Sequence, residues 1–272
     1  MKPTERLALE VPQADAYAEH PRRLMLMARV QTLLKRYYPP EDDAYRLFEQ
    51  EIARNLKPGC TLLDAGCGKT APVLTLFAPR VSRAIGVEMV QFGSELGGSG
   101  LMLLNGHIGS LPLPQASVDV IISRSVFEHL ADPAAVYREV FRVLKPGGRL
   151  IFITPNIWSY PIVAARLIPN RFHAAVVDWA EGRPEEDTFA TYHRSNSFRA
   201  IRRLAAQAGL KVGSLRYLSM FPNYLMFHPW AFMAGVLYER TIRRVKILHP
   251  LQHWILAVLL RPNGVPSADI VR

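Results

Sequence analysis

Leu62-Leu63-Asp64-Ala65-Gly66-Cys67-Gly68-Lys69-Thr70 reads as a buried strand that breaks into a glycine turn just after an acidic residue. Glycines at 66 and 68 let the backbone turn tightly and approach a ligand with no Cβ in the way. Ala71 to Ala78 continues as a helix whose N-terminus faces that ligand, the arrangement of a nucleotide-binding turn. The spacing Gly66, Gly68, Ala71 also satisfies the looser dinucleotide fingerprint, so the turn by itself admits a nicotinamide enzyme. Lys69 and Thr70 match the end of a phosphate-binding P-loop, but the first glycine of such a loop would fall at Leu63, which excludes it.

Upstream, Arg22 to Tyr38 carries Leu24, Met27, Ala28, Leu33 and Leu34 at helical spacing and is stopped by Pro39 and Pro40. A second helix is expected from Asp42 or Asp43, with Ala44, Leu47, Phe48, Ile52 and Leu56 on one face and Pro58-Gly59 at its end. Residues 1–20 hold Pro3 and Pro12 and read as an arm. Downstream, a strand from Arg83 to Val87 ends at Glu88, about 20 residues past Gly66, where an acid is placed to accept hydrogen bonds from two ribose hydroxyls. Further strands are expected at Leu101 to Leu104, Val118 to Ser123 and Arg149 to Thr154. Between the last two, Asp132 and Pro133 cap a helix with Val136, Val140, Val143 and Leu144 inward and Pro146-Gly147-Gly148 at its end. Strands alternating with helices make a parallel sheet covered on both faces.

The pattern changes after Thr154. Residues 155–194 lack clean periodicity and carry a charged loop at Glu181 to Asp187, which reads as an insertion. Asn196 or Ser197 caps a helix with Phe198, Ile201, Leu204 and Ala208 inward and Gly209 at its end, and Lys211 to Ser219 is a sixth strand. Residues 220–249 read as a second, partly helical insertion rich in Met, Phe, Tyr and Trp. Trp254 to Leu260 is short, apolar and bounded by Pro262, which favours a closing strand over a helix.

With 272 residues and 49% hydrophobic composition, the chain can bury one full core carrying added lobes. A formal charge of +10 invites polyanion binding, yet the clustering is modest: Arg194, Arg199, Arg202 and Arg203 at one helix, and Arg240, Arg243, Arg244 and Lys246 at another. Solvated helix faces account for both groups more simply than a nucleic-acid site does. Cys60 and Cys67 flank one strand, about 20 Å apart at roughly 3.3 Å per residue, beyond disulfide reach, so both are expected as thiols. Neither a charged-then-apolar leader nor a run of about 18 apolar residues stands out, and the expected location is cytoplasmic.

Taken together, these blocks resemble the class I S-adenosylmethionine-dependent methyltransferases, and among them the type 11 group, over about Leu56 to Val212. The family's Asp-x-Gly-x-Gly-x-Gly is matched by Asp64, Gly66 and Gly68, with Thr70 in place of the third glycine. Its ribose acid falls on Glu88, its Gly-Asp-Ala-x-x-Leu-Pro stretch on Gly106 to Leu113, and its Phe-Asp-x-Val and Leu-Glu-His-Leu runs on Val118 to Ile121 and Phe127 to Leu130. Leu-Lys-Pro-Gly-Gly is present at Leu144 to Gly148. The order and spacing of these blocks set the dehydrogenase aside. His107 departs from the family by standing where an aspartate usually accepts from the adenine amino group; a neutral imidazole nitrogen can accept that bond, and Asn105 is a neighbouring substitute.

The resemblance implies a Rossmann-like α/β fold: a seven-stranded, mostly parallel sheet with an antiparallel last strand between the fifth and sixth, helices on both faces, N-terminal helices and two helical insertions. It divides the chain into an N-terminal cap (1–57), a cofactor core (58–154), a substrate lid (155–194), a core helix and strand (195–219), an aromatic insertion (220–250) and a closing strand with its tail (251–272). S-adenosylmethionine is the implied cofactor, held by Asp64, Gly66, Cys67, Gly68, Glu88, Met89, His107, Ile108, Ser123 and Arg124, and no metal is expected. His129, Tyr192 and His193 fall where the strand-end loops should meet and are the candidates for a catalytic base.

The added segments carry Trp158, Tyr160, Trp179, Phe189, Phe221, Tyr224, Phe227, Trp230 and Phe232, which points to a hydrophobic or amphipathic small-molecule acceptor, with O-methylation ahead of C or N. Tyr224 to Tyr238 followed by Arg240 to Lys246 adds a peripheral membrane contact to the expectations. Two other readings stand beside this one. The first is a nucleic-acid or protein methyltransferase, against which Ser123-Arg124-Ser125-Val126 replaces the Asn/Asp-Pro-Pro-Tyr tetrapeptide that often holds a planar amine. The second is a non-catalytic protein of the same fold, for which Thr70 and His107 speak.

Overall fold

The computed structural model describes residues 21–39, 43–93, 100–167 and 190–264. Chain order is α1 (Pro21–Tyr37), α2 (Ala44–Asn55), β1 (Thr61–Ala65), α3 (Pro72–Phe77), β2 (Arg83–Glu88), β3 (Met102–Asn105), β4 (Val118–Arg124), α4 (Pro133–Val143), β5 (Leu144–Pro155), α5 (Tyr160–Leu167), α6 (Phe198–Gln207), β6 (Lys211–Leu218), α7 (Pro229–Arg244) and β7 (Trp254–Leu260). The arm at 1–20, the loop at Glu181 to Asp187, Trp179 and Phe189 lie outside the described residues.

All seven strands form one sheet in the order β3-β2-β1-β4-β5-β7-β6. β1 to β5 run parallel, while β7 is antiparallel to both β5 and β6. The central strands read as unbroken apolar runs because both of their faces are buried: Leu62 and Leu63, Ile121 and Ile122, Leu150 to Ile153 and Ile255 to Ala257 all lie inside. Order reverses between β1 and β4, so the crevice at the carboxyl ends of these two strands is the place where this topology binds ligands.

Capping follows the sequence closely. Asp132 accepts from the Ala135 amide with Pro133 at the first helical position of α4, and it is Ser197, by accepting from Ala200, that caps α6. Asn196 instead turns inward. The fifth strand begins at Leu144 rather than Arg149: α4 passes straight into β pairing through Leu144 opposite Val118, and the register shifts before Val120 meets Arg149. On the sheet face under α4, Phe127 stacks on Phe152 at 4.0 Å and Tyr137 meets Phe127 edge-on at 5.8 Å. Arg261, just beyond β7, is 4% exposed and donates to the Phe141, Arg142 and Leu144 carbonyls, closing the last turn of α4.

The chain divides into two compact units: residues 1–43, 160–188 and 219–252 form one, and 44–159, 189–218 and 253–272 the other. α2 belongs to the unit of the sheet, where Glu51 pairs with Arg216 at 2.9 Å and Asn55 accepts from Arg149. Within the helical unit, Val30 and Leu34 of α1 pack against Phe232 and Val236 of α7, and Tyr38 sits edge-on to Phe221 and Phe232 at 6.3 and 6.2 Å. Phe221 and Phe232, expected among acceptor-facing aromatics, are packing residues here.

Candidate functional site

The turn after β1 is held from below by β2. Val87 carbonyl oxygen accepts from the amides of Gly66 and Cys67 at 2.8 and 3.3 Å. Gly66 has φ +80°, and a Cβ there would lie 2.5 Å from the Val126 side chain, so neither its backbone nor its surroundings admit another residue. Gly68 has φ +74° with nothing within 4 Å of a Cβ position: its open side is available for close approach by a ligand. Cys67 points the other way, its sulfur against Gly86 of β2, and burial pushes its thiol pKa up. Cys60 and Cys67 are both free and buried.

Two acids flank this turn. Glu88 at the end of β2 accepts from the Gly68 amide through one oxygen and from the Met89 amide through the other, both at 2.7 Å. The carboxylate is thereby fixed, with lone pairs left on each oxygen for a pair of ribose hydroxyls. Asp64 is 3% exposed, and burial pushes its pKa up to about 7; Glu88 adds to the rise, while the Arg124 guanidinium and the Leu74 amide oppose it. Arg124, at the end of β4, also lies over the Tyr45 ring at 5.2 Å, and the Tyr45 hydroxyl lies 3.4 Å from Ser125 Oγ. Tyr45 of α2 is thus a strand-end residue that its sequence context does not advertise.

After β3, the His107 Nδ1 accepts the Gly109 amide at 2.9 Å. In the neutral ring the proton then sits on Nε2, so the other imidazole nitrogen is a donor and not the acceptor expected for an adenine amino group. Asn105 fits that role better, since its amide nitrogen donates to Met89 carbonyl at 3.2 Å and leaves Oδ1 as the acceptor end. Ile108 is buried in the core. The Ser123 hydroxyl is fully buried and donates to the Ala65 carbonyl at 2.7 Å, tying β4 to the end of β1.

A second cluster lies behind the end of β4. Tyr192 and His193 donate their amides to the Glu128 carbonyl at 2.8 and 3.0 Å, which staples residues 190–194 to the loop after β4. Tyr192 is exposed and stacks with Arg194 at 5.3 Å; His193 holds φ +51°, a strained value for a residue with a side chain. His129 Nδ1 lies 3.1 Å from Ala190 carbonyl, which only accepts, so Nδ1 carries the proton and Nε2 is the basic nitrogen. Glu128 Oε1 lies 3.9 Å from that nitrogen.

Glu128 is the residue sequence reasoning passed over. It is 5% exposed, burial raises its pKa, and its other oxygen accepts from Thr154 Oγ1 at 3.0 Å. Asn196 Nδ2 completes the chain by donating to Thr154 Oγ1 at 2.7 Å and Pro155 carbonyl at 2.8 Å. Trp158 lies beyond this end of β5, with its amide on Asn156 Oδ1 at 3.2 Å and its side chain 54% exposed. The Asn156 backbone amide also donates to the His253 carbonyl at 2.8 Å, just before β7.

The open glycine, the fixed carboxylate and the buried acid suit an adenosyl ligand bearing positive charge. Residues 63–152 match the family model described as a methyltransferase domain. A Mycolicibacterium smegmatis protein named "Probable S-adenosylmethionine-dependent methyltransferase" is 35% identical over 147 residues, 50% of this chain and 56% of that one. A Mycobacterium tuberculosis protein of the same description is 35% identical over 112 residues, 39% of this chain and 41% of its own. The chain spans about half the length of the curated relatives it matches. Among solved structures, YcgJ from Bacillus subtilis superposes with a TM-score of 0.50 at 17% identity, covering 81% of this chain and all of that one. A geranyl diphosphate methyltransferase in complex with S-adenosylmethionine gives 0.52 at 18% identity, covering 91% and 94%. These two share the fold. By its sheet order, its glycine turn and the matched methyltransferase domain at residues 63–152, the chain is similar to the class I S-adenosylmethionine-dependent methyltransferases.

Proposed function

We propose that the whole protein transfers the methyl group of S-adenosylmethionine to a hydroxyl of a hydrophobic or amphipathic small molecule. The observation that carries this reading is the tautomer imposed on His129 by the Ala190 carbonyl, with buried Glu128 beside the basic nitrogen. When bound, the cofactor supplies an electrophilic methyl on a good leaving group. The chain's share is to align the acceptor, exclude water and take one proton. In this reading Glu88 and the Gly68 backbone hold the adenosyl moiety, ionised Asp64 favours its positive charge, and Asn105 and His107 present an acceptor and a donor to the adenine edge. Nε2 of His129 would take the proton of the acceptor hydroxyl, the cofactor supplying the methyl and its sulfur taking the electron pair of the methyl–sulfur bond. Glu128 stabilises the imidazolium so formed, and Thr154 with Asn196 holds Glu128 in place.

Trp158, the exposed indole at this strand edge, supports an apolar acceptor. A carbon acceptor is the second reading. It draws support from a sterol 24-C-methyltransferase of Pneumocystis carinii, which is 30% identical over 119 residues, 37% of this chain and 32% of that one.

Calorimetric titration with S-adenosylmethionine and S-adenosylhomocysteine, with a nicotinamide dinucleotide as control, tests the cofactor half. One-to-one binding of the adenosyl ligands alone is expected, and its absence in folded protein overturns the reading. Labelled-methyl transfer to apolar alcohols, phenols and polynucleotide then separates the acceptor classes.

A further inference from the structure

The outer face of the helical unit carries side chains that its own core does not use. Trp230, Leu237 and Ile247 are 79%, 69% and 84% exposed, the most exposed large apolar side chains among the described residues. At about 100° per residue, Trp230, Ala234, Leu237, Thr241 and Arg244 share one stripe of α7, opposite the buried Phe232, Val236 and Glu239. Ile247 follows in the short 3-10 turn Lys246–Leu251.

Basic groups border this stripe. Arg240, Arg244 and Lys246 are exposed, and Lys35 and Arg36 join them from the end of α1, whereas Arg243 lies on the side of Glu239. The guanidinium groups of Arg240 and Arg36 both stand over the Tyr37 ring, at 4.8 and 5.7 Å, which merges the charges of the two helices into one patch. α1 contains no acid, and the one acid of α7, Glu239, is buried on the opposite face at 1% exposure. Contiguous exposed apolar surface marks a contact site, and the charge selects the partner. Trp and Leu flanked by Arg and Lys suit the headgroup region of an anionic bilayer, where the indole spans the boundary and the cations meet phosphate.

We propose that α7 and the turn after it form an interfacial anchor that docks the protein peripherally on an anionic lipid surface. Trp230, Leu237 and Ile247 enter the headgroup layer, and Arg240, Arg244 and Lys246 pair with lipid phosphates. No helix among the described residues is long and apolar enough to cross a membrane, so the contact is one of surface.

The test is co-sedimentation of the full chain with phosphatidylglycerol vesicles and with phosphatidylcholine vesicles at low and high salt, with tryptophan quenching by nitroxide-labelled lipid. Wild type is expected to bind phosphatidylglycerol selectively and to be released by salt. The Arg240→Gln/Arg244→Gln/Lys246→Gln variant should bind about 100-fold more weakly, from the loss of three surface cations. Trp230→Ser/Leu237→Ser should lose insertion, and Trp230→Phe should lose the quenching. All these positions are exposed, and thermal melting with S-adenosylhomocysteine titration confirms that each variant is folded. Absence of binding to phosphatidylglycerol at low salt overturns the proposal, as does equal binding by wild type and both multiple variants. Self-association abolished by Trp230→Ser/Leu237→Ser, without vesicle binding, also overturns it and assigns the face to a second copy of the chain. None of these outcomes depends on the methyl-transfer reading.

Discussion

The turn after β1 and the cluster behind β4 follow the carboxyl ends of two adjacent strands of one sheet and are held by different means. At the turn, amides of Gly66, Cys67 and Gly68 bond to the carbonyl of Val87 and the carboxylate of Glu88, so the backbone itself makes the site. Behind β4, Glu128, Thr154 and Asn196 are linked to one another through buried side chains, with backbone carbonyls of Glu128 and Pro155 as supports. A site made of backbone tolerates most side chains but depends on its glycines. A site made of buried polar side chains tolerates changes of backbone residue but depends on every member being satisfied.

The largest expected effect separates the two directly. His129→Gln should lower turnover by about 10² to 10⁴ while leaving S-adenosylhomocysteine affinity within about twofold. Glu128→Gln, which keeps shape and removes charge, should lower kcat about tenfold with KM unchanged, since it acts through His129. Steady-state kinetics paired with calorimetry reads both. Equal rates in the two variants and wild type would remove the base from the mechanism and favour an acceptor needing no proton transfer.

Next in size is a contrast within the turn. Gly66→Ala should destabilise the fold by about 2 to 4 kcal/mol, because strain at positive φ adds to the clash with Val126. Gly68→Ala meets no neighbouring atom and should cost about 1 kcal/mol in stability, yet weaken cofactor binding at least about tenfold by placing a methyl on the open side. Denaturant melts and calorimetry of the pair distinguish a glycine needed for folding from one needed for the ligand.

The smallest effect is a pH dependence. Burial places the Asp64 pKa near 7 in the folded, ligand-free protein, above its unfolded value. Stability from this group is therefore complete below about pH 4 and is lost as pH rises through 7. A cationic ligand favours the ionised form, so binding below pH 7 must expel a proton. Affinity for S-adenosylmethionine should accordingly fall by up to about tenfold per unit below pH 7 and level off above it. Calorimetry across pH 5 to 8 in buffers of different ionisation enthalpy measures the released proton, and Asp64→Asn should flatten the dependence.

The same contrast explains what the sequence discloses. Central strands are legible at Leu62-Leu63, Val120 to Ile122 and Leu150 to Ile153 because burial on both faces demands unbroken apolar runs. The caps at Asp132 and Ser197 are legible because a cap is a local arrangement of one side chain and one amide. The glycine turn is legible for the same reason. Glu128, Thr154 and Asn196 meet only after the sheet has formed, and nothing in the neighbourhood of any one of them announces the other two. Position along a motif fixes where a residue falls but not which atom its side chain bonds: Ser123 turns to Ala65, and His107 commits its accepting nitrogen to Gly109.

β7 has a consequence for how the molecule is made. The last of the seven described strands in sequence occupies an inner position, between β5 and β6, and pairs with both along its whole length. During synthesis, β5 must wait with one edge unpaired and β6 with no strand partner while Trp254 to Leu260 is still to come. Arg261 follows immediately and clasps the end of α4, so the residue that locks the sheet emerges as soon as the gap has been filled. The late strand acts as a keystone, and the interval before its arrival is when the nascent chain is most exposed to mispairing.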